Sequence, residues 1–228
     1  MRRLLITIDG PAGAGKTTVS RRLADHLGYT YVDTGALYRA VALAAVEAAV
    51  DPGDDDRLKR LCAGLELRFV ASPQGSRLMS GGQDITGRIR TPEISMLASA
   101  VSARPVVRSY LLGLQRDLGR QKGAVFEGRD MGTVVFPEAD VKFFLDASAD
   151  IRAARRYEEL KRDPGVTLED VAREMGQRDR NDSSRAVAPL RAAADAIRID
   201  SSRLSIDAVV RRMVDEVKRR ACAPNAAN

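Results

Sequence analysis

The segment Leu4-Leu5-Ile6-Thr7-Ile8 is a short apolar run that stops at Asp9-Gly10-Pro11. A run of this length with turn residues at its end predicts a buried parallel strand. Behind it, Val19, Leu23 and Leu27 recur every four residues between positions 16 and 27, which predicts a helix with one apolar stripe, closed by Gly28. Residues 29–32 predict a second strand, and residues 34–50 an Ala-rich helix that ends before Asp51-Pro52-Gly53. Further strands are predicted at 124–127, 141–145 and 196–199, each followed by a helical pattern. Strands alternating with helices imply an α/β fold, a parallel sheet covered by helices on both faces.

One stretch departs from this rhythm. Leu65-Glu66-Leu67-Arg68-Phe69-Val70 alternates apolar and polar residues and meets turn chemistry at Ser72-Pro73-Gln74-Gly75; residues 76–79 lead to a second turn at Gly81-Gly82. Tight turns between short strands predict antiparallel hairpins, because a parallel crossover needs a helix in between. The expected organisation is a core of residues 1–61 and 93–220, a small antiparallel β insert at 62–92, and a frayed tail at 221–228.

Composition narrows the class. The chain has 228 residues, enough for one α/β domain with a sizeable core, and its 44% hydrophobic and 30% charged residues are those of a folded globular protein rather than a disordered one. No run approaches the roughly 18 uncharged apolar residues of a membrane span, and nothing marks export, so a cytoplasmic protein is expected. Cys62 and Cys222 lie far apart without a metal-ligand spacing and are expected to be free thiols. The net charge of +6 comes with no tract longer than Lys218-Arg219-Arg220 and no motif of a nucleic-acid-binding module, so a mildly basic surface is expected and not nucleic-acid binding. The basic residues are mostly Arg, clustered at Arg152, Arg155 and Arg156 and at Arg173, Arg178, Arg180 and Arg185. The planar guanidinium fork suits phosphate oxygens, so a polyphosphate ligand fits these clusters, as does a simple compositional bias toward Arg.

The sharpest signal is Gly10-Pro11-Ala12-Gly13-Ala14-Gly15-Lys16-Thr17, followed by Thr18, which matches G-x-x-x-x-G-K-[ST] between a predicted strand and a predicted helix. The glycines let backbone N–H groups converge on phosphates above the positive end of the helix. Lys16 is expected to reach the β- and γ-phosphates of ATP, and the Thr17 hydroxyl to ligate Mg²⁺. The chain has no Asn-Lys-x-Asp element for reading guanine, and no strand ending in the Asp-Glu of motor ATPases. A small-molecule kinase is the class that remains, with the strand-end acids of Glu127-Gly128-Arg129-Asp130 and Leu145-Asp146-Ala147 available to order Mg²⁺ water or the acceptor.

Three further stretches resemble signatures of bacterial cytidylate kinase: Asp33-Thr34-Gly35-Ala36-Leu37-Tyr38-Arg39, Glu127-Gly128-Arg129-Asp130-Met131-Gly132-Thr133-Val134-Val135-Phe136-Pro137, and Asp182-Ser183-Ser184-Arg185-Ala186-Val187-Ala188-Pro189-Leu190. The resemblance runs along nearly the whole chain, and the β insert is similar to that family's enlarged nucleoside-monophosphate-binding region. It implies phosphoryl transfer from ATP to CMP or dCMP. It places Thr34, Arg39, Arg129 and Arg185 around the acceptor phosphate, Ser99, Arg108 and Asp130 on the cytosine, and Arg178 and Asp182 on the ribose. A carboxylate suits the exocyclic amine of cytosine, and Ser and Arg donors suit its carbonyl and ring nitrogen. Arg155 and Arg156, with Arg152 beside Lys161-Arg162-Asp163-Pro164-Gly165, are expected to form a short lid near 152–165 that closes over ATP. His26 sits at a predicted helix end, where His is favourable without any chemistry. A monomer is expected. Phosphorylation of UMP or shikimate, and a regulatory protein that binds nucleotide without transferring phosphate, are the competing readings.

Overall fold

The computed structural model describes residues 2–72, 75–160 and 165–222. The chain divides into two compact units, one of residues 1–31 and 121–228 and the other of residues 32–120.

The first unit is built on a five-stranded sheet in the order β2-β6-β1-β7-β8, with β1 Leu5–Asp9, β2 Thr30–Asp33, β6 Ala124–Gly128, β7 Val141–Asp146 and β8 Ile197–Asp200. The pairings of β1 with β6, β1 with β7 and β7 with β8 are parallel. All five residues of β1 are buried, as its near-continuous apolar run requires of a central strand. Alternation then sorts its side chains. Ile6 and Ile8 pack with Val19 and Leu23 of α1 (Lys16–Leu27) and with Val209, Met213 and Val217 of α8 (Ile206–Cys222), while Thr7 and Asp9 face the opposite way, toward Gly132. Helices α6 (Ala149–Leu160) and α7 (Leu168–Ser184) pack on each other, and their Ala153, Val171 and Met175 meet Ala12 of the glycine-rich loop.

One expected helix is absent. After β6 the chain enters a single π-helical turn, Met131–Val135, in place of the α-helix that the strand-helix rhythm predicts. Pro137 lies two residues past the end of this turn and bars a longer helix, while Asp9 satisfies the first two amides as a cap does.

The second unit begins where β2 leaves the sheet. Asp33 caps α2 (Thr34–Glu47) by accepting the Ala36 amide. This helix stops three residues short of the expected end, because Ala49 takes a left-handed conformation (φ 48°) that terminates it. Helix α3 (Asp55–Ala63) follows, then the antiparallel sheet β3-β4-β5 of Leu67–Ser72, Gly75–Ser80 and Gln83–Asp84. The alternating run 65–70 thus leads into a hairpin strand, which begins two residues later than the alternation, at Leu67, and extends to Ser72; Pro73 and Gln74 of its first turn lie outside the described residues. A 3-10 turn at Arg88–Arg90 leads to α4 (Pro92–Val101) and α5 (Pro105–Gly119). Leu37, Val41, Leu58, Leu78, Ile89, Val101, Val107 and Leu111 join these elements in one core. Of the expected lid, residues 161–164 lie outside the described residues, as do residues 223–228 of the expected tail.

Candidate active site

The glycine-rich loop leaves β1 at Gly10, where the backbone runs so close to β7 that a Cβ would sit 1.9 Å from the Leu145 carbonyl oxygen. At Gly13 the chain is left-handed (φ 72°), and a Cβ would meet Met175 and Arg152 at 2.8 to 3.0 Å. Only glycine fits either place, and the loop delivers the chain to the first turn of α1. Gly15 caps that helix without any side-chain hydrogen bond, so the first N–H groups of α1, from Lys16 to Thr18, point at the loop as an anion-binding end.

Lys16 is 7% exposed, and its Nζ donates to the Pro11 carbonyl at 2.7 Å. Burial lowers its pKa to about 7, helped by the charge of Arg129 and opposed by Glu127 and Asp9. The Thr17 hydroxyl donates to Glu127 Oε1 at 2.8 Å. Asp9, the last residue of β1, accepts the Met131 and Gly132 amides at 2.8 and 2.7 Å, and burial raises its pKa to about 6.

The arginines divide into four situations. Arg152 is buried and braces the loop: Nη1 donates to the Ala12 carbonyl at 3.2 Å and to Asp179 at 2.5 Å, while Nε donates to the Ala147 carbonyl. Arg155 donates to the hydroxyl and carbonyl of Ser201 at 3.1 and 2.8 Å, and Ser201 in turn donates to the Ala14 carbonyl. Arg156 points away to the exposed Glu159, at 2.7 Å. A separate group surrounds Asp182 of α7, which receives Arg129 Nε at 2.9 Å on one oxygen and Arg185 on the other. Burial alone would raise the Asp182 carboxyl, but Arg129, Arg185 and Arg178 outweigh it and hold it below the usual range. Asp130, 3% exposed, opens the π-helical turn.

In the second unit Thr34 is buried in the first turn of α2, and Arg39 pairs with Asp33 at 2.8 Å. The guanidinium of Arg108 lies 5.7 Å from the centre of the Tyr38 ring and donates to the Ser102 carbonyl, whose own hydroxyl donates to the Ser99 carbonyl. Thr34, Arg39, Ser99 and Arg108 thus share one unit with their local supports, and Arg129, Asp130, Arg178, Asp182 and Arg185 share the other with the phosphate loop.

Comparison with known proteins bears on what this geometry serves. The profile of the family described as cytidylate kinase matches residues 6–219. The chain is 52% identical over 220 residues to the cytidylate kinase of Geobacter sulfurreducens, covering 96% of this chain and 94% of that protein. It is 51% identical to the one from Syntrophotalea carbinolica, covering 98% and 97%. The chain belongs to the cytidylate kinase family. Among solved structures, an uncharacterized protein from Eubacterium ventriosum shares the fold, with a TM-score of 0.52 at 12% identity over 95% of this chain and 99% of that one.

Within this cytidylate kinase family member, sequence reasoning passed over Asp9, Ser201 and Tyr38, and did not separate Arg152 from its neighbours. Asp9 had a visible signal, an acid closing an otherwise apolar buried strand. Tyr38 stood inside the Asp33–Arg39 signature without a role of its own, and Ser201 had no signal, since its contacts come from what the fold brings beside it. The Mg²⁺ expectation meets a fitting donor set: the Thr17 hydroxyl and the Glu127 carboxylate are adjacent oxygens at the mouth of the loop. No cluster of three or more His, Cys, Asp or Glu ligands exists among the described residues. That combination suits a metal held mainly by phosphate and water oxygens rather than by a protein cage.

Proposed function

We infer that the chain is an ATP-dependent nucleoside monophosphate kinase that transfers the γ-phosphoryl group of ATP to CMP or dCMP, giving CDP or dCDP and ADP. The observation that carries this reading is identity of about half the residues, over nearly the full length, to proteins named cytidylate kinase. The loop geometry around Lys16 and the arginine pair on Asp182 supply the groups that such a transfer needs.

The acceptor phosphate, with a second pKa near about 6, is largely dianionic at neutral pH and attacks without a general base. One of its oxygens forms the new bond to the γ-phosphorus as the bond to the β,γ-bridging oxygen breaks, and ADP leaves. Catalysis is then positioning and charge stabilisation. The N–H groups of residues 10–18 hold the donor phosphates and Lys16 the β- and γ-oxygens. Arg129 and Arg185, with Thr34 and Arg39, orient the acceptor phosphate. Ser99, Arg108 and Asp130 take the cytosine, and Arg178 and Asp182 the ribose. Arg155 and Arg156 close over ATP and exclude water, which suppresses hydrolysis. Thr17 and Glu127 would hold Mg²⁺, which supplies charge neutralisation on the donor phosphates.

No described helix is long and apolar enough to cross a membrane. We propose a monomer working in the cytoplasm, which light scattering and cell fractionation check. The activity itself is tested by ADP release from ATP and Mg²⁺ with CMP, dCMP, UMP, AMP, GMP and shikimate offered separately. A response to CMP or dCMP well above the others is expected; a flat panel would overturn the assignment.

A further inference from the structure

We propose that Asp9 is a positioning residue that sets the enzyme's preference for cytosine, by fixing the turn from which Asp130 reads the base. The inference rests on the assignment of Asp130 to cytosine. Asp9 closes β1 immediately before the phosphate loop, and its side chain emerges on the face away from the core formed by Ile6 and Ile8. Directly above that face lies Gly132: a Cβ there would sit 3.1 Å from Thr7 Oγ1 and 3.4 Å from Asp9 Oδ2.

Each carboxylate oxygen of Asp9 takes one of two successive amides, Oδ1 that of Met131 and Oδ2 that of Gly132. The carbonyl of Asp130 receives the Val134 and Val135 amides at 2.9 and 3.2 Å, closing the π-helical turn on itself. The backbone on the C-terminal side of Asp130 is therefore pinned at both of the next two residues, which fixes the point and the Cα–Cβ direction from which its side chain starts. Only an ionised carboxylate offers acceptors to both amides, because an amide side chain of the same shape would present an NH₂ group to one of them.

The surroundings argue that this carboxylate is kept for more than folding. It is buried, and burial works against its ionisation, with Asp130 adding to the effect and the two amides and Lys16 opposing it. A neutral residue is easier to bury at this place. What the neutral residue cannot do is hold the turn at two points.

The test compares Asp9→Asn and Asp130→Ala with the unaltered enzyme, measuring kcat and KM for CMP and for UMP at saturating ATP, and KM for ATP at saturating CMP. Asp9→Asn is expected to raise KM for CMP and to lower the CMP-over-UMP ratio of kcat/KM by about tenfold or more, with KM for ATP moving less than about threefold. If Asp130→Ala leaves that ratio unchanged, the cytosine assignment fails and this inference with it. If Asp130→Ala collapses the ratio and Asp9→Asn does not, only the positioning role is overturned. Equal loss on CMP and UMP with a raised KM for ATP would also overturn it, by marking Asp9 as a general support of the loop. Asp9→Ser, smaller and also neutral, takes the same measurements with the same expected fall in the ratio if the Asn variant does not fold.

Discussion

Arg129 donates its Nε to one oxygen of Asp182 at 2.9 Å, and Arg185 occupies the other oxygen of the same carboxylate. One acid on α7 thus holds two guanidinium groups that would otherwise repel each other, and in the proposed function it keeps both in place for the acceptor phosphate. The side chain of Asp182 is only 3% exposed, so its removal leaves two cations without their counter-charge in a poorly solvated place. Asp182→Ala is expected to lower stability by about 3 kcal/mol and to raise KM for CMP far more than KM for ATP. Urea unfolding and steady-state kinetics check the two halves. Because the folded carboxyl is held below its unfolded value, its contribution is present above about pH 4 and disappears on acidification.

Lys16 gives a prediction in the opposite direction of pH. Its pKa falls to about 7 because burial and Arg129 disfavour the cation, whereas a bound triphosphate restores it. Binding ATP above pH 7 must therefore take up a proton. KM for ATP is expected to rise as pH increases from 7 toward 9, by up to about tenfold per unit, and calorimetry in buffers of different ionisation enthalpy should register the uptake. Lys16→Met should remove both the pH dependence and nearly all turnover.

Arg152 separates packing from charge. Its guanidinium spans the carbonyls of Ala12 and Ala147 and the carboxylate of Asp179, a fork that an ammonium group cannot reproduce. Arg152→Lys keeps the charge and is expected to raise KM for ATP several-fold, with KM for CMP little changed. Arg156→Ala, at a residue paired only with exposed Glu159 among the described contacts, should leave stability within about 0.5 kcal/mol. Any loss of turnover it causes then reports its role over ATP. Unaltered turnover in both Arg155→Ala and Arg156→Ala would remove the lid assignment.

The fold was legible wherever a local pattern has one physical meaning. The apolar run of β1 can only be a buried strand, the spacing of Val19, Leu23 and Leu27 can only be one face of a helix, and Gly-rich chemistry between them specifies the phosphate loop. Alternation at residues 65–70 likewise announces a hairpin. The π-helical turn at Met131–Val135 was legible only at its end, where Pro137 stands; the Asp9 carboxylate that holds its first two amides is distant in sequence and adjacent only in the folded sheet. The same holds within the site. Charge clusters reveal that arginines gather, but which one braces Ala12, which meets Ser201 and which faces solvent depends on the pairing of α6, α7 and β8. Sequence spacing carries no such information.

Asp9 also makes a prediction about stability that is independent of its kinetics. Its folded pKa of about 6 lies above the ordinary 3.8, so between these values the folded chain binds more protons than the unfolded one, and stability falls as pH rises through the window. Above about pH 6 the whole penalty is present, on the order of 3 kcal/mol. Asp9→Asn removes the buried charge and loses one of two amide contacts, worth about 1 to 3 kcal/mol. The two effects nearly cancel at pH 7. Urea midpoints of the two proteins at pH 4, 5, 6 and 7 isolate the effect, since Asp182 and the other carboxylates titrate in both. The stability of the Asn variant relative to its parent is expected to improve steadily from pH 4 to pH 6 and then level off. Parallel curves would mean that Asp9 ionises without penalty, and the argument that a costly carboxylate is retained for its hold on the Asp130 turn would lose its support. A rising difference combined with a fallen CMP-over-UMP ratio would place Asp9 among residues kept for function at the expense of stability.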